Sequence, residues 1–388
     1  MGNWFEQHPR KTLLLFLALI FFSAAFITEK VLAWQSPTKK SGVKRCIRLR
    51  EEEPLFIGKF TPTEEDLRLA DSLVKKEYPF RTDRDGYILP ARVHEQPDLC
   101  LVFLGGSTTA CYYVDEEKRF PYLAGRLLEA ETKLRVNSYN SGVGGNYSLH
   151  SLDILLNKVI PMKPDMVVMM HNINDLAVLM YAGSYWSQDF KKGKTSPLME
   201  FQPMAVNFRQ LPDYFFPHLS QALKSLEKGL RRTLRPKQAR APDDELREIR
   251  GKKIRLDRDH LLKEFKMNQQ TFINICRARK ITPVLMTMAS RLTATPDPLV
   301  SRLTKGLEKD HGLVYQEYRE IFQLFNQAIR LLAQENRVLL IDLAQAVPPD
   351  KEYIYDLVHF TNRGSGYAAG VIKEGLKPHL PALKGGRN

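Results

Sequence analysis

The feature that most restricts how this chain can fold is a rhythm of short apolar runs separated by stretches of helical spacing. The runs are LCLVFL at 99–104, LRVNSY at 134–139, MVVMM at 166–170, TPVLMTM at 282–288 and VLLID at 338–342. Apolar residues recur at helical spacing over 119–131, 148–160, 260–279, 312–335 and 363–376. A strand that is apolar on both faces must be covered on both, and helices in the connections supply that cover. The pattern predicts a three-layer α/β/α sandwich on a five-stranded parallel sheet. In open sheets of this kind, sites form beyond the carboxyl ends of the strands. A hydrophobic share of 43% over 388 residues provides enough apolar surface for such a core.

Five strands so connected suit a flavodoxin-like sheet, but one stretch breaks the rhythm. About 110 residues separate the third and fourth runs, far more than a crossover helix needs. The domain organisation expected is a membrane segment over 1–35, a linker with a helical lead-in over 36–97, and a main domain over 98–388 carrying an insertion at 180–258. Within the lead-in, TPTEEDLRLADSLVKKE reads as a capped helix. The insertion opens aromatic (MYAGSYWSQDF) and then turns basic (LKSLEKGLRRTLRPKQAR). A cap over the site and a contact with an anionic surface are both readings of it, against a loose solvated helix. The net charge of +14 owes much to this stretch. No zinc-knuckle, RRM or helix-turn-helix pattern accompanies the charge, so no nucleic acid partner is expected.

At the amino terminus, RKTLLLFLALIFFSAAFI sets two cations before an apolar run, Leu13 to Ile27, that Thr28 to Trp34 can extend. A cleaved signal peptide and an uncleaved anchor are both open, with the anchor favoured for its length and for Trp34 at the interface. Arg10 and Lys11 favour a cytoplasmic amino terminus; Lys39, Lys40, Lys44 and Arg45 pull the other way. A signal-like start favours an extracytoplasmic, periplasmic main domain. Cys46, Cys100, Cys111 and Cys276 form no CxxC pair, and buried free thiols are expected.

Four polar elements stand at the ends of strands or starts of helices. In GGST, Gly105 and Gly106 allow a sharp turn, and Ser107 follows with its amide free at a helix start. A serine so placed can attack a carbonyl while nearby amides receive the charge; alternatively it is an ordinary helix cap. NSGVGGNYS again puts glycines at a strand end, with the Gly145 amide as a donor. HNIND offers the Asn174 side-chain amide as a second donor; a metal reading of His171 with Asp175 lacks further ligands. YDLVHF spaces Asp356 three residues before His359, neighbours on one helical turn, where a carboxylate can orient an imidazole. Together these are the parts of an acyl-transfer site. Arg119 is expected to pair with an acid, Asp342 to orient a loop, and His94, His150, His260 and His379 to sit at the surface or in caps.

On these four blocks the sequence resembles the SGNH/GDSL hydrolase superfamily over roughly 98–377, the insertion excepted. The resemblance implies Ser107 as nucleophile, Asp356 and His359 as its partners, and an oxyanion hole from the Ser107 amide, Gly145 and Asn174. It implies no metal or organic cofactor. The first block reads GGS where many members read GDS, and the third reads NIND in place of GGND. The function implied is serine-dependent hydrolysis of O-acyl esters on an envelope glycan or a lipid, by a protein held at the membrane through its first helix. An O-acyltransferase on a cell-envelope polysaccharide and a non-catalytic glycan-binding scaffold are the alternatives.

Overall fold

The computed structural model describes residues 4–35, 49–186 and 256–380, with short stretches between 215 and 223. The chain forms two compact units, one of residues 1–40 and 199–244 and the other of 41–198 and 245–388. The first contains α1 (Pro9–Gln35). Its Pro9–Leu32 portion, 24 residues, is long and apolar enough to cross a membrane. Apolar side chains along it face outward, Leu14 and Phe21 being 66% and 70% exposed. The helix runs on through Glu29, whose carboxylate accepts the backbone N–H groups of His218 and Leu219 at 3.0 and 2.8 Å.

The second unit holds the sandwich. Its strands are β3 (Leu99–Gly105), β4 (Val136–Gly142), β5 (Met166–Met170), β6 (Thr282–Met286) and β7 (Leu339–Ile341). They lie in the order β4-β3-β5-β6-β7, all parallel, which is the flavodoxin-like arrangement. Every residue of β5 is buried, as expected for a run with no polar face. Gly105 pairs with Gly142 on one side and Met170 on the other, so three strands end level with one another. The chain order reverses between β3 and β5, the point at which open sheets of this kind place their sites.

Before the sandwich come β1 (Ile57–Phe60), α2 (Glu64–Arg68) and β2 (Tyr78–Arg81), with β1 and β2 antiparallel. The helix expected here is capped by Thr63 as its sequence suggests, but it stops at Arg68. Tertiary contacts take over: the Asp71 N–H donates to the Tyr355 carbonyl at 3.1 Å, and the Asp71 carboxylate grips both terminal nitrogens of Arg291. Covering helices follow the strands: α3 (Ser107–Ala110), α4 (Phe120–Thr132), α5 (Ser148–Ile154), α6 (Ile173–Ala182), α7 (Arg258–Ala278), α8 (Pro298–His311), α9 (Tyr315–Asn336), α10 (Leu343–Ala346) and α11 (Asn362–Leu376). α8 was not anticipated, since its buried positions are few and widely spaced. The insertion expected over 180–258 lies mostly outside the described residues. Cys100, Cys111 and Cys276 are free thiols, and Cys46 is not described.

Candidate active site

Ser107 is the first residue of α3, with Gly106 as its cap, so its hydroxyl is not used to cap the helix. It turns instead toward the carboxyl edge of β3, where the Ser107 Oγ lies 2.7 Å from His359 Nε2. On the other side of the ring, His359 Nδ1 is 2.6 Å from Asp356 Oδ2. The residues thus stand in one line of hydrogen bonds, in which Ser107 and His359 are 252 positions apart in sequence.

The Asp356–His359 pair is not on a helical turn, as the spacing suggested. It lies in a tight loop closed by the Ile354–Phe360 bridge. The second Asp356 oxygen, Oδ1, accepts the backbone N–H groups of Val358 and His359 at 2.9 and 2.8 Å. A short acid three residues before the histidine can bond loop backbone and ring together, so the same spacing serves without a helix. Three further contacts brace the loop. The Tyr355 ring stacks on His359 with an interplanar angle of 12°. Phe360 meets Phe120 of α4 edge-on at 5.9 Å. The Arg291 N–H donates to the Leu357 carbonyl at 2.9 Å. Arg291 is itself held by Asp71 and Asp297.

The loop sets the charge state of its histidine. Burial works to lower the His359 pKa, but the Asp356 charge and hydrogen bond outweigh it and raise it above the ordinary 6.5. Burial likewise works to raise the Asp356 pKa; His359 and the two backbone donors overcome it and hold the carboxyl below its usual range. A histidine base must be neutral to take a proton. Activity is therefore expected to fall with decreasing pH starting above 6.5, an edge higher than an isolated imidazole would give. A pH–kcat/KM profile on a soluble ester checks this, and a profile flat between pH 5 and 8 contradicts it.

Asn174 lies in the first turn of α6. Its Nδ2 donates to the Asn146 carbonyl at 2.8 Å, tying the third block to the second. It also sits against Gly106: a Cβ there would come within 2.5 Å of Asn174 Nδ2 and 3.1 Å of the Asn146 carbonyl. Only glycine before Ser107 permits this approach. Gly145 has φ of +72°, a conformation that favours glycine. The Asn174 amide and the Gly145–Asn146 turn thus meet beside Ser107.

Sequence reasoning missed what holds that turn. Arg50, in the stretch read as a linker, donates from Nη2 to the Gly144 carbonyl at 3.1 Å, and its own carbonyl accepts from Asn146 Nδ2 at 3.1 Å. Tyr112 takes the Gly144 N–H on its hydroxyl at 2.7 Å and donates to Glu52 at 2.5 Å. The Gly144 carbonyl and the Gly145 N–H share one planar trans peptide, so a guanidinium on the first aims and polarises the second. Arg50→Ala is expected to lower kcat by about tenfold or more, the scale of one hydrogen bond to a charged group. Arg50→Lys should recover part of it, and equal kcat in Arg50→Ala and wild type would contradict the role.

A second Ser–His–Asp grouping lies behind the first. Ser151 Oγ is 2.7 Å from His171 Nε2, and His171 Nδ1 is 3.4 Å from Asp175. All three are 0–1% exposed. Burial drops the His171 pKa to about 3 and lifts that of Asp175 to about 6. Asp175 accepts the Ser148 N–H at 3.0 Å, the Ser148 hydroxyl, and the Tyr185 hydroxyl at 2.6 Å. This set joins α5 to α6 and no substrate reaches it. Among the described residues no cluster of three or more metal-ligating side chains occurs.

The other polar residues singled out in the sequence resolve one by one. Arg119 is fully buried and donates to the carbonyls of Cys111, Leu89 and Pro79, with Glu116 at 3.9 Å. His150 caps α5, its Nδ1 accepting the Tyr147 N–H at 3.4 Å, and is buried against the Tyr147 ring. His94 pairs with Glu129 at 2.7 Å and His260 reaches the Gly183 carbonyl at 2.7 Å. Asp342 caps α10 and pairs with Arg330.

A family model described as the GDSL-like lipase/acylhydrolase family matches residues 103–366. The chain belongs to that family. It is an ester hydrolase, and the match begins inside β3 and ends in α11, so it spans Ser107, Gly145, Asn174, Asp356 and His359 but not Arg50. No curated protein matches the sequence. Solved structures similar to it include an acetylxylan esterase from Geobacillus stearothermophilus, at 15% identity and a TM-score of 0.40 over 73% of this chain and 94% of the esterase. A lipase/acylhydrolase from Enterococcus faecalis is similar at 16% identity and a TM-score of 0.41 over 72% and 96%.

Proposed function

We propose that this family member hydrolyses O-acyl esters, acetyl esters foremost, on an envelope glycan, with Ser107 as nucleophile. The observation that carries the reading is the continuous line from Ser107 Oγ through the His359 ring to Asp356. His359 Nε2 takes the hydroxyl proton as the oxygen attacks the ester carbonyl. Asp356 holds the Nδ1 proton in place and stabilises the imidazolium that forms. The carbonyl oxygen, now negative, is received by the backbone N–H groups of Ser107 and Gly145 and by Asn174 Nδ2. Its collapse expels the alcohol, which leaves with the proton from His359. Water, deprotonated by the same imidazole, then releases the acid and restores the serine.

The location is part of the proposal. Residues 1–35 anchor the chain in a membrane through α1, 36–97 form the lead-in, and 98–388, with the insertion at 180–258, act on the extracytoplasmic side. The outward-facing apolar side chains of α1 support the anchor. A glycan is favoured over a lipid because polar and charged side chains (Arg, Glu, Gln, Asn, Ser and Thr) outnumber apolar ones in the lining of the cleft along the carboxyl edge of β6 and β7.

Rates on p-nitrophenyl acetate, butyrate and octanoate, with acetate release from an acetylated oligosaccharide, test the reading. Activity is expected to be highest on acetate, with free acetate as product. A preference for octanoate would point to a lipid ester, and acetyl transfer to an added oligosaccharide in place of acetate release would make the protein an acyltransferase.

A further inference from the structure

A cleft of about 690 Å³ runs between α9 and the loop that follows β6. Arg319, Gln323, Gln327 and Arg330 recur at helical spacing along one face of α9 and form one wall; Ser290 and Thr293 stand on the other. The floor is bonded to the candidate active site. Asn326 accepts from Asn172 Nδ2 at 3.0 Å, two residues before Asn174, and both accepts from and donates to the Met288 backbone at 3.0 Å. The rim is bonded to it as well, since Arg291, between Ser290 and Leu292, holds the Leu357 carbonyl two residues before His359.

The charges in the cleft do not cancel. Arg330 is matched by Asp342 at 2.7 Å, and Arg258, at one end, faces Glu320 at 3.2 Å. Arg319 makes no hydrogen bond or ion pair with any described residue, and its Nε is buried without a partner. A buried guanidinium N–H left unpaired is unfavourable. A planar guanidinium fork fits a planar carboxylate, and the surrounding amides and hydroxyls suit a polyhydroxylated chain. We infer that this cleft is a subsite for a carboxylate-bearing sugar, a uronate, in the same glycan chain whose ester is cleaved at Ser107, with Arg319 reading the carboxylate. The inference rests on the glycan-ester reading above and narrows it to acidic glycans.

The test compares the full-length protein on O-acetylated oligogalacturonate and on O-acetylated xylo-oligosaccharide of equal length, with p-nitrophenyl acetate as a check on wild-type chemistry. Wild type is expected to favour the acidic substrate by about tenfold or more in kcat/KM, a preference that added salt weakens. Arg319→Gln should collapse that ratio through KM, and Arg319→Lys should keep part of it. Equal rates on the two glycans, or an acidic preference that Arg319→Gln leaves intact, overturns the subsite while the glycan-ester reading stands. Hydrolysis of p-nitrophenyl acetate with neither glycan cleaved overturns the glycan-ester reading, and the subsite falls with it.

Discussion

Replacing Ser107 with alanine is expected to reduce kcat on any ester by about 10⁴-fold or more and to leave the fold intact. The size follows from the chemistry: without the hydroxyl there is no acyl-enzyme, and what remains is attack by water in a site built for another nucleophile. Little stability is at stake. Ser107 contributes one hydrogen bond, to a ring that Asp356 still holds and Tyr355 still covers. Its backbone role, opening α3 after Gly106, does not need the hydroxyl. Thermal melting should therefore move little while a fluorophosphonate probe that labels wild type fails on the variant. Adding His359→Ala should cost almost nothing more, because the two groups act as one unit. Independent losses that multiply, or equal labelling of wild type and Ser107→Ala, would remove Ser107 from the role.

The same residues show how far a sequence can be read. The sheet was legible because strand burial on both faces leaves an unmistakable mark: MVVMM has no polar position to misassign, and it is β5 to the residue. The pairing of Ser107 with His359 was legible as chemistry, in that a turn serine and a DxxH each imply a partner. The manner of that pairing was not. Asp356 and His359 have the spacing of a helix, and only tertiary contacts from Arg291 and Phe120 make the stretch a loop. Arg50 was invisible for a related reason. Its neighbours in sequence are charged and unremarkable, and its function lies in a contact 94 residues away. The depth at which His150 and Arg119 sit was not legible, because residue type carries only the average exposure, whereas each is buried by particular partners: a tyrosine ring for one, three backbone carbonyls for the other.

Asn174→Ala is expected to lower kcat by about 10²–10³-fold with a much smaller change in KM, about 2.7–4 kcal/mol of barrier. The asymmetry follows from where the negative charge appears. A ground-state ester carbonyl accepts a hydrogen bond weakly, whereas the tetrahedral oxyanion accepts one strongly, so a preorganised amide acts mostly on the transition state. Asn174 is preorganised by its bond to the Asn146 carbonyl, which uses one of its two N–H groups and leaves the other for substrate. That bond is also a possible confusion, since the alanine variant removes a brace as well as a donor. Asn174→Asp separates the two. An aspartate keeps the size of the side chain but carries no donor and adds a negative charge beside the forming oxyanion, so its kcat should fall below that of Asn174→Ala. A KM that rises in parallel with the loss of kcat in the alanine variant would mean that Asn174 binds substrate instead, and an Asn174→Asp variant as active as wild type would remove it from the oxyanion hole.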